Sequence, residues 1–434
     1  MRRGIRNYLV FLRRCALIAF VGDARYYLWM GVLTVICLLG LNAYAKQLVH
    51  GLITTGMSDE VSWGVYIANF TFLVGVAAAA VMMVIPVYIY DNEELHDLVI
   101  FGELLAVAAI IMCLAFVTVD LGRPDRFWHL IPGLGQLNFP ASMLSWDVIV
   151  LNGYLLLNVH ICGYLLYCRY RNRKPSRWFY IPFVFVAIGW AVSIHTVTAF
   201  LYVGLGGRPF WNSSIVGPRF LASAFTAGPA LIILALQIIR RVTAYRITDK
   251  ALLTLRSIVQ VSMLINVFLL ANEVFKEFYS GNLHVASSKY LYLGLHGYHA
   301  LVPWIWTAIV FNLIAMVLLV LPLSRSLKWL NLTCVLCIVG IWIEKGMGLV
   351  IPGFIPTPLG AMAEYRPSLN ETLICLGIWA FGLLCYTIFL RMAVPILQGR
   401  LTQANEGLPG GRPGPVPLET QLRPQAASSA LPPP

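Results

Sequence analysis

Apolar stretches of about twenty residues or more recur along the whole chain, parted by short polar loops. A helix rises ~1.5 Å per residue, so ~20 apolar residues span the ~30 Å hydrocarbon layer of a bilayer. Read this way, the pattern predicts ten membrane helices. They run over about 27–46, 64–90, 99–119, 142–167, 180–204, 218–240, 254–278, 299–321, 329–351 and 371–396.

Composition confirms the class. Hydrophobic residues make up 59% and charged residues 12%, with a mean hydropathy of +0.76. Soluble chains carry about 25% charged residues. The expected fold class is all-α, a polytopic integral membrane helical bundle, with no soluble domain visible. The chain divides into a basic segment (1–26), a membrane domain (27–398) and a Pro/Gly-rich tail (399–434). The tail is too polar to bury a core and is expected to be disordered. In the first segment, MRRGIRNYLVFLRRCALIAF, Arg13 and Arg14 break the apolar run and no small-residue cleavage site follows. It is expected to be retained as an amphipathic helix on the cytoplasmic membrane surface.

Charge sets the orientation. The net charge is +12, and about 22 of the 31 Lys and Arg fall on one side of the ten spans. These lie near the N-terminus, in Arg169–Arg177, in Arg240–Arg256, at Arg325 and Lys328, and in the tail. Cytoplasmic loops carry such an excess. Both termini are therefore placed inside, in a cytoplasmic (inner) membrane. The basic residues face a lipid bilayer in this reading, and nucleic acid is excluded as a partner. One inside loop, Asp91–Asp97, is acidic. A solvated loop, a contact for a basic partner and a proton-collecting loop all fit it.

Two outer stretches resemble each other. Asp120–Asp147 runs DLGRPDRFWH, a turn, then FPASMLSWD. His195–Ala224 runs HTVTAFLYVGLGGRPFW, a turn, then GPRFLASA. Ionisable groups at membrane depth are costly and are functional-site candidates by default. Counting along the helices puts Asp120, Asp147 and His195 in the outer half. Trp63, Tyr66, Asn69, Trp146, Asn272, Glu273, Lys276, Glu344 and Lys345 join them there. Only Glu103 and His160 fall toward the inner end.

A polar pocket open from one side only suits an amphipathic ligand arriving from the lipid, and a quinone is such a ligand. Oxidising a quinol requires a group that accepts its proton near working pH. Asp147 and His195 are the candidates for that role. Asp120, Tyr66 and Asn69 are candidates for orienting the head group, beside Trp63, Trp146 and Arg123. Structural readings stand next to these. Asp120 can pair with Arg123 or Arg126. His195 can be a core histidine bonded to Ser193 or Thr198. Glu344 and Lys345 can each pair with another helix. Arg123 and Arg208 can hold the loops over the helix ends.

Among the nine cysteines, Cys334 and Cys337 stand one helical turn apart. A lone pair of this kind inside a helix is expected to be packing, and no metal site is expected. His160 and His195 lie at different depths, which disfavours a bis-histidine haem; His284, His296 and His299 leave a weak alternative. Neither haem nor an iron–sulfur cluster is expected in this chain.

Several motifs together resemble the NrfD/PsrC family of membrane quinone-interacting subunits. They are WGVYIANFTFLVGVAAAA (Trp63–Ala80), Glu103, DLGRPDRFW (Asp120–Trp128), SMLSWD (Ser142–Asp147), SIHT (Ser193–Thr196) and RPFW…GPRFLASA (Arg208–Ala224). The resemblance covers roughly residues 25–396 and is greatest to the DsrP and HmcC branch. It implies two four-helix bundles plus flanking helices, and menaquinone or another quinone bound in the outer half of the first. Asp147 is implicated there, as is the position of Asp120, where some relatives carry His. Glu103, Glu273 and Glu344 become candidates for a proton pathway. The implied partners are a periplasmic ferredoxin-like iron–sulfur subunit, a haem b membrane subunit, a cytoplasmic iron–sulfur subunit and a multihaem cytochrome c. The implied context is sulfur metabolism, with activity as a quinol oxidoreductase subunit of a complex. A proton or ion transporter, a haem b cytochrome and a passive membrane anchor are the competing readings.

Overall fold

Ten helices among the described residues are long and apolar enough to cross a membrane. The computed structural model describes residues 2–281 and 285–403. His284 and most of the expected tail lie outside them. A helix α1 (Arg2–Ala19) comes first. The ten spans follow as α2 (Ala24–His50), α3 (Val65–Tyr88), α4 (Val99–Asp120), α5 (Met143–Tyr170) and α6 (Arg177–Val203), then α7 (Val216–Val242), α8 (Asp249–Ser280), α9 (Val302–Val320), α10 (Leu327–Phe354) and α11 (Leu369–Leu397). No strand forms among the described residues. The protein is a multi-pass helical membrane protein.

Local chemistry starts several of these helices where the sequence supplies a cap. Asp23 accepts from the Tyr26 amide before α2, and Thr248 accepts from the Ala251 amide before α8. Ser368 and Glu371 form a reciprocal capping box on α11. Such side chains satisfy amides that no carbonyl in the first turn can reach.

Helices α3 to α6 pack as one four-helix bundle and α7 to α10 as a second. They meet where α3 touches α7 and α10, and where α6 touches α7. Outside them, α2 and α11 pair with each other, and α11 packs on α4. Apolar side chains gain little by leaving lipid for a helix interface, so close backbone approach does the work. A Cβ on Gly228 of α7 would collide with the Ala79 Cβ of α3. One on Gly40 of α2 would stand 2.7 Å from the Gly377 Cα of α11. Small residues thus hold both the seam between bundles and the outer pair together.

Two spans depart from the continuous helices expected. Helix α3 is interrupted at Ala79 and Ala80, where it crosses α7. Helix α10 widens into a π-turn over Ile343–Met347. Such turns insert one residue into a helix and recur at functional sites. Here the turn carries both buried charges of the helix, Glu344 and Lys345.

Candidate functional site

Both Gly-Arg-Pro segments lie at one end of the molecule, called here the hairpin face. They differ in how they are held. In the first, Arg123 pairs with Asp125 at 2.9 Å, and both are exposed. It does not pair with Asp120. In the second, Arg208 donates to the Phe354 carbonyl at 3.2 Å and its guanidinium lies 4.7 Å from that ring's centre. Trp211 donates to the Leu349 carbonyl at 2.8 Å. The second hairpin is thereby fastened to the end of α10. Trp63 lies against Trp211, Tyr202 and Phe354, closing the seam between the bundles at this face.

Asp147 begins the first bundle's polar cluster. It lies near the start of α5 and is 1% exposed. Thr198 of α6 donates its hydroxyl to Asp147 Oδ1 at 2.8 Å. His195, one turn before Thr198, is fully buried. Its Nδ1 lies 2.9 Å from the Ala191 carbonyl, which can only accept, so Nδ1 carries a hydrogen. Nε2 has no partner among the described residues. In the neutral ring that nitrogen is an acceptor. His195, Thr198 and Tyr202 stand at i, i+3 and i+7, so all three share one face of α6. The Tyr202 hydroxyl meets Thr71 of α3. Ser193, the other expected partner of His195, donates to the Gly189 carbonyl instead.

The remaining expected residues go elsewhere. Tyr66 donates to Gln47 of α2 at 2.7 Å, and Gln47 donates to the Val119 carbonyl at 2.6 Å. Asn69 accepts from the indoles of Trp342 and Trp379 at 3.0 and 2.9 Å. Both therefore face away from Asp147 and His195. Asp120 ends α4 with a buried oxygen, Oδ1, that has no partner among the described residues. Its electrostatic neighbours include Glu371, Tyr66 and Tyr202. Glu371 itself is occupied by the Tyr365 hydroxyl (2.9 Å) and the amides of Gly56 (2.7 Å) and Ser368 (2.8 Å). Trp146 stays at the first hairpin, where it packs on Phe139 and donates to the Pro140 carbonyl at 2.9 Å.

The three glutamates named for a proton pathway also separate. Glu103 lies in the first bundle, where Cys162 donates to it at 3.0 Å. Glu273 and Glu344 lie in the second, on either side of Arg219. Arg219 is 6% exposed and bonds both carboxylates, reaching Glu344 Oε1 at 2.7 Å. Asn312 and Asn266 donate to Glu344 Oε2 at 2.7 and 3.4 Å. Arg219 was not singled out from the sequence. An arginine near the start of an apolar helix, in GPRFLASA, was the signal available.

Away from the membrane spans, the acidic loop folds back on the chain. Glu94 accepts from Thr248 at 2.7 Å and from Lys250 at 3.3 Å. The Thr248 hydroxyl first, then Lys250, hold its carboxyl below its ordinary range. Cys334 and Cys337 are buried free thiols, and no group of three or more potential metal ligands occurs among the described residues.

Ten apolar helices, eight of them in two bundles, with ionisable side chains gathered inside toward one face, define a membrane protein of the polytopic helical class. The chain belongs to the NrfD family, described as polysulphide reductase, NrfD, which matches residues 53–356. It is 28% identical over 406 residues to a putative dimethyl sulfoxide reductase membrane subunit of Halobacterium salinarum, covering 84% of this chain and 90% of that one. It is 23% identical over 389 residues to the Hdr-like menaquinol oxidoreductase integral membrane subunit of Archaeoglobus fulgidus, covering 86% and 94%. A selenate reductase subunit of Mesobacillus selenatarsenatis is 23% identical over 239 residues, 48% of this chain and 55% of that one.

Proposed function

We propose that this chain binds menaquinol or another quinone in the hairpin-face half of the α3–α6 bundle, and that it exchanges electrons with an iron–sulfur subunit docked on that face. The observation that carries the reading is His195 Nε2, a fully buried acceptor without a partner among the described residues, one turn from the Thr198 that holds Asp147. A buried polar atom left unbonded costs about 1–3 kcal/mol, so such an atom favours a ligand that satisfies it. A relative named as a menaquinol oxidoreductase subunit supports the ligand class. Relatives named as subunits of reductases support a place in a multi-subunit complex.

The residues have distinct tasks in this reading. Oxidation of a bound quinol supplies two protons and two electrons. His195 Nε2 accepts a hydrogen bond from the head group and takes a proton. Thr198 fixes the Asp147 carboxyl, whose second oxygen is the other proton acceptor. Asp120, whose Oδ1 has no partner among the described residues, serves the same head group or a proton exit at the end of α4. Glu103, Glu273 and Glu344 are proposed as proton-carrying groups, in two separate bundles rather than one line.

Orientation and context belong to the same proposal. The excess of Lys and Arg opposite the hairpin face supports both termini inside and the hairpin face toward the periplasm. The partners would then be a periplasmic ferredoxin-like protein, with a haem b membrane subunit, a cytoplasmic iron–sulfur subunit and a multihaem cytochrome c. The DLGRPDRFWHL wording favours a complex of sulfur metabolism. Asp147→Asn in the assembled complex tests the site. Quinol-linked reduction of the partner is expected to be lost with assembly intact, and unchanged turnover rejects the assignment.

A further inference from the structure

Glu344 and Lys345 are neighbours in sequence and part company in space. Both lie in the π-turn of α10, 2% and 4% exposed. Glu344 turns into the second bundle, where Arg219, Asn312 and Asn266 occupy both its oxygens. Lys345 turns to the seam between the bundles. Its ammonium stands 4.6 Å from the centre of the Phe220 ring, and no hydrogen bond or ion pair reaches it among the described residues.

Phe220 does not account for that charge. A desolvated cation gains less on an aromatic face than it loses on leaving water, even after relaxation. The surroundings point toward the first bundle. Phe220 packs on the Tyr202 ring at 6.0 Å, and Tyr202 shares a helix face with His195. The next residue, Gly346, lies against α3, where a Cβ would stand 3.1 Å from the Ala68 carbonyl oxygen.

Depth agrees as well. From Lys345 to the end of α10 at Phe354 is ~14 Å, and from His195 to the end of α6 at Val203 is ~12 Å, at ~1.5 Å per residue. Among the described residues, the seam thus holds an imidazole acceptor without a partner and, over Phe220, an amino group that no hydrogen bond or ion pair reaches.

We propose that Lys345 is a second head-group contact: it donates to one oxygen of the quinol whose other hydroxyl donates to His195 Nε2. The inference rests on the quinone reading above and adds to it a residue from the second bundle. Phe220 and the π-turn hold the ammonium at the seam, and the ligand oxygen supplies the partner that the protein omits. The two Gly-Arg-Pro hairpins then roof one site built from both bundles.

The test uses full-length protein in lipid nanodiscs and 2-heptyl-4-hydroxyquinoline N-oxide, a quinol analogue whose fluorescence falls on binding. The wild type is expected to quench it saturably. Lys345→Met is expected to weaken binding about 10- to 100-fold, the worth of a hydrogen bond to a charged group. Lys345→Arg, which keeps a cationic donor, is expected to restore most of it. Unchanged affinity in Lys345→Met overturns the role of Lys345 and leaves the quinone site standing. No saturable quenching by the wild type overturns both. If Lys345→Met fails to fold, judged by its unfolding temperature, Lys345→Ala, which also lacks a donor, replaces it, with the same loss expected and the same retained affinity overturning the assignment.

Discussion

Thr198 donates its hydroxyl hydrogen to Asp147 across 2.8 Å, joining α6 to α5 where both side chains are buried. No other side chain donates to that carboxyl among the described residues. The bond orients Asp147 and leaves its second oxygen for other work.

Thr198→Val keeps the shape and removes the donor. The unmet oxygen is expected to cost about 1–3 kcal/mol. Thermal unfolding should come at lower temperature, and quinol-analogue affinity should fall. Thr198→Ser should preserve both. Equal loss in the serine variant would show that the methyl group, not the hydroxyl, matters.

Arg219 decides the second bundle. Arg219→Met leaves Glu273 and Glu344 buried and unpaired by it, at an expected cost of about 3–5 kcal/mol. The triple variant Arg219→Met, Glu273→Leu, Glu344→Leu should recover most of the unfolding temperature, since apolar residues replace a buried ion cluster at little cost. A triple variant no more stable than the single one contradicts this account.

The seam between bundles depends on size. Gly228→Val places side-chain atoms where Ala79 stands and should part α3 from α7, lowering stability and the yield of folded protein. Ala79→Gly in the same chain should restore part of it. The double-mutant cycle in detergent is the measurement, with a clear coupling energy expected for residues in contact.

The Glu94 link responds to pH in a defined direction. Its carboxyl is held below the ordinary range, so the stabilisation is present above the ordinary carboxylate value and is lost as pH falls through the lowered folded one. Amide exchange in the first turn of α8, measured at pH 7 and in the acid range, should quicken at the acid end. Glu94→Gln should exchange quickly at both. The energy is small because the pair is at the surface.

Much of the candidate site was legible in one dimension because desolvation leaves a mark there. Asp147 and His195 interrupt apolar runs, and a side chain that costs energy at membrane depth calls for a reason. Tyr66 and Asn69 lie on the same stretch as Trp63, and linear order grouped them with Asp147. Their directions separate them: Tyr66 turns to α2 and Asn69 to the indoles of α10 and α11. A membrane helix is apolar on nearly every side, so its hydrophobic pattern says little about which face meets which neighbour.

Sequence alone determined the ten spans and the fold class, because crossing a bilayer sets a length and a polarity that hold whatever a helix packs against. It determined the candidate acids and histidine for the same energetic reason. Only tertiary structure decided the partners. Arg219 finds Glu273 and Glu344 far along the chain, and Glu344 and Lys345 separate across a π-turn that no local pattern announced. Those outcomes depend on close contacts between small residues such as Gly228 and Ala79, which set the register of whole helices.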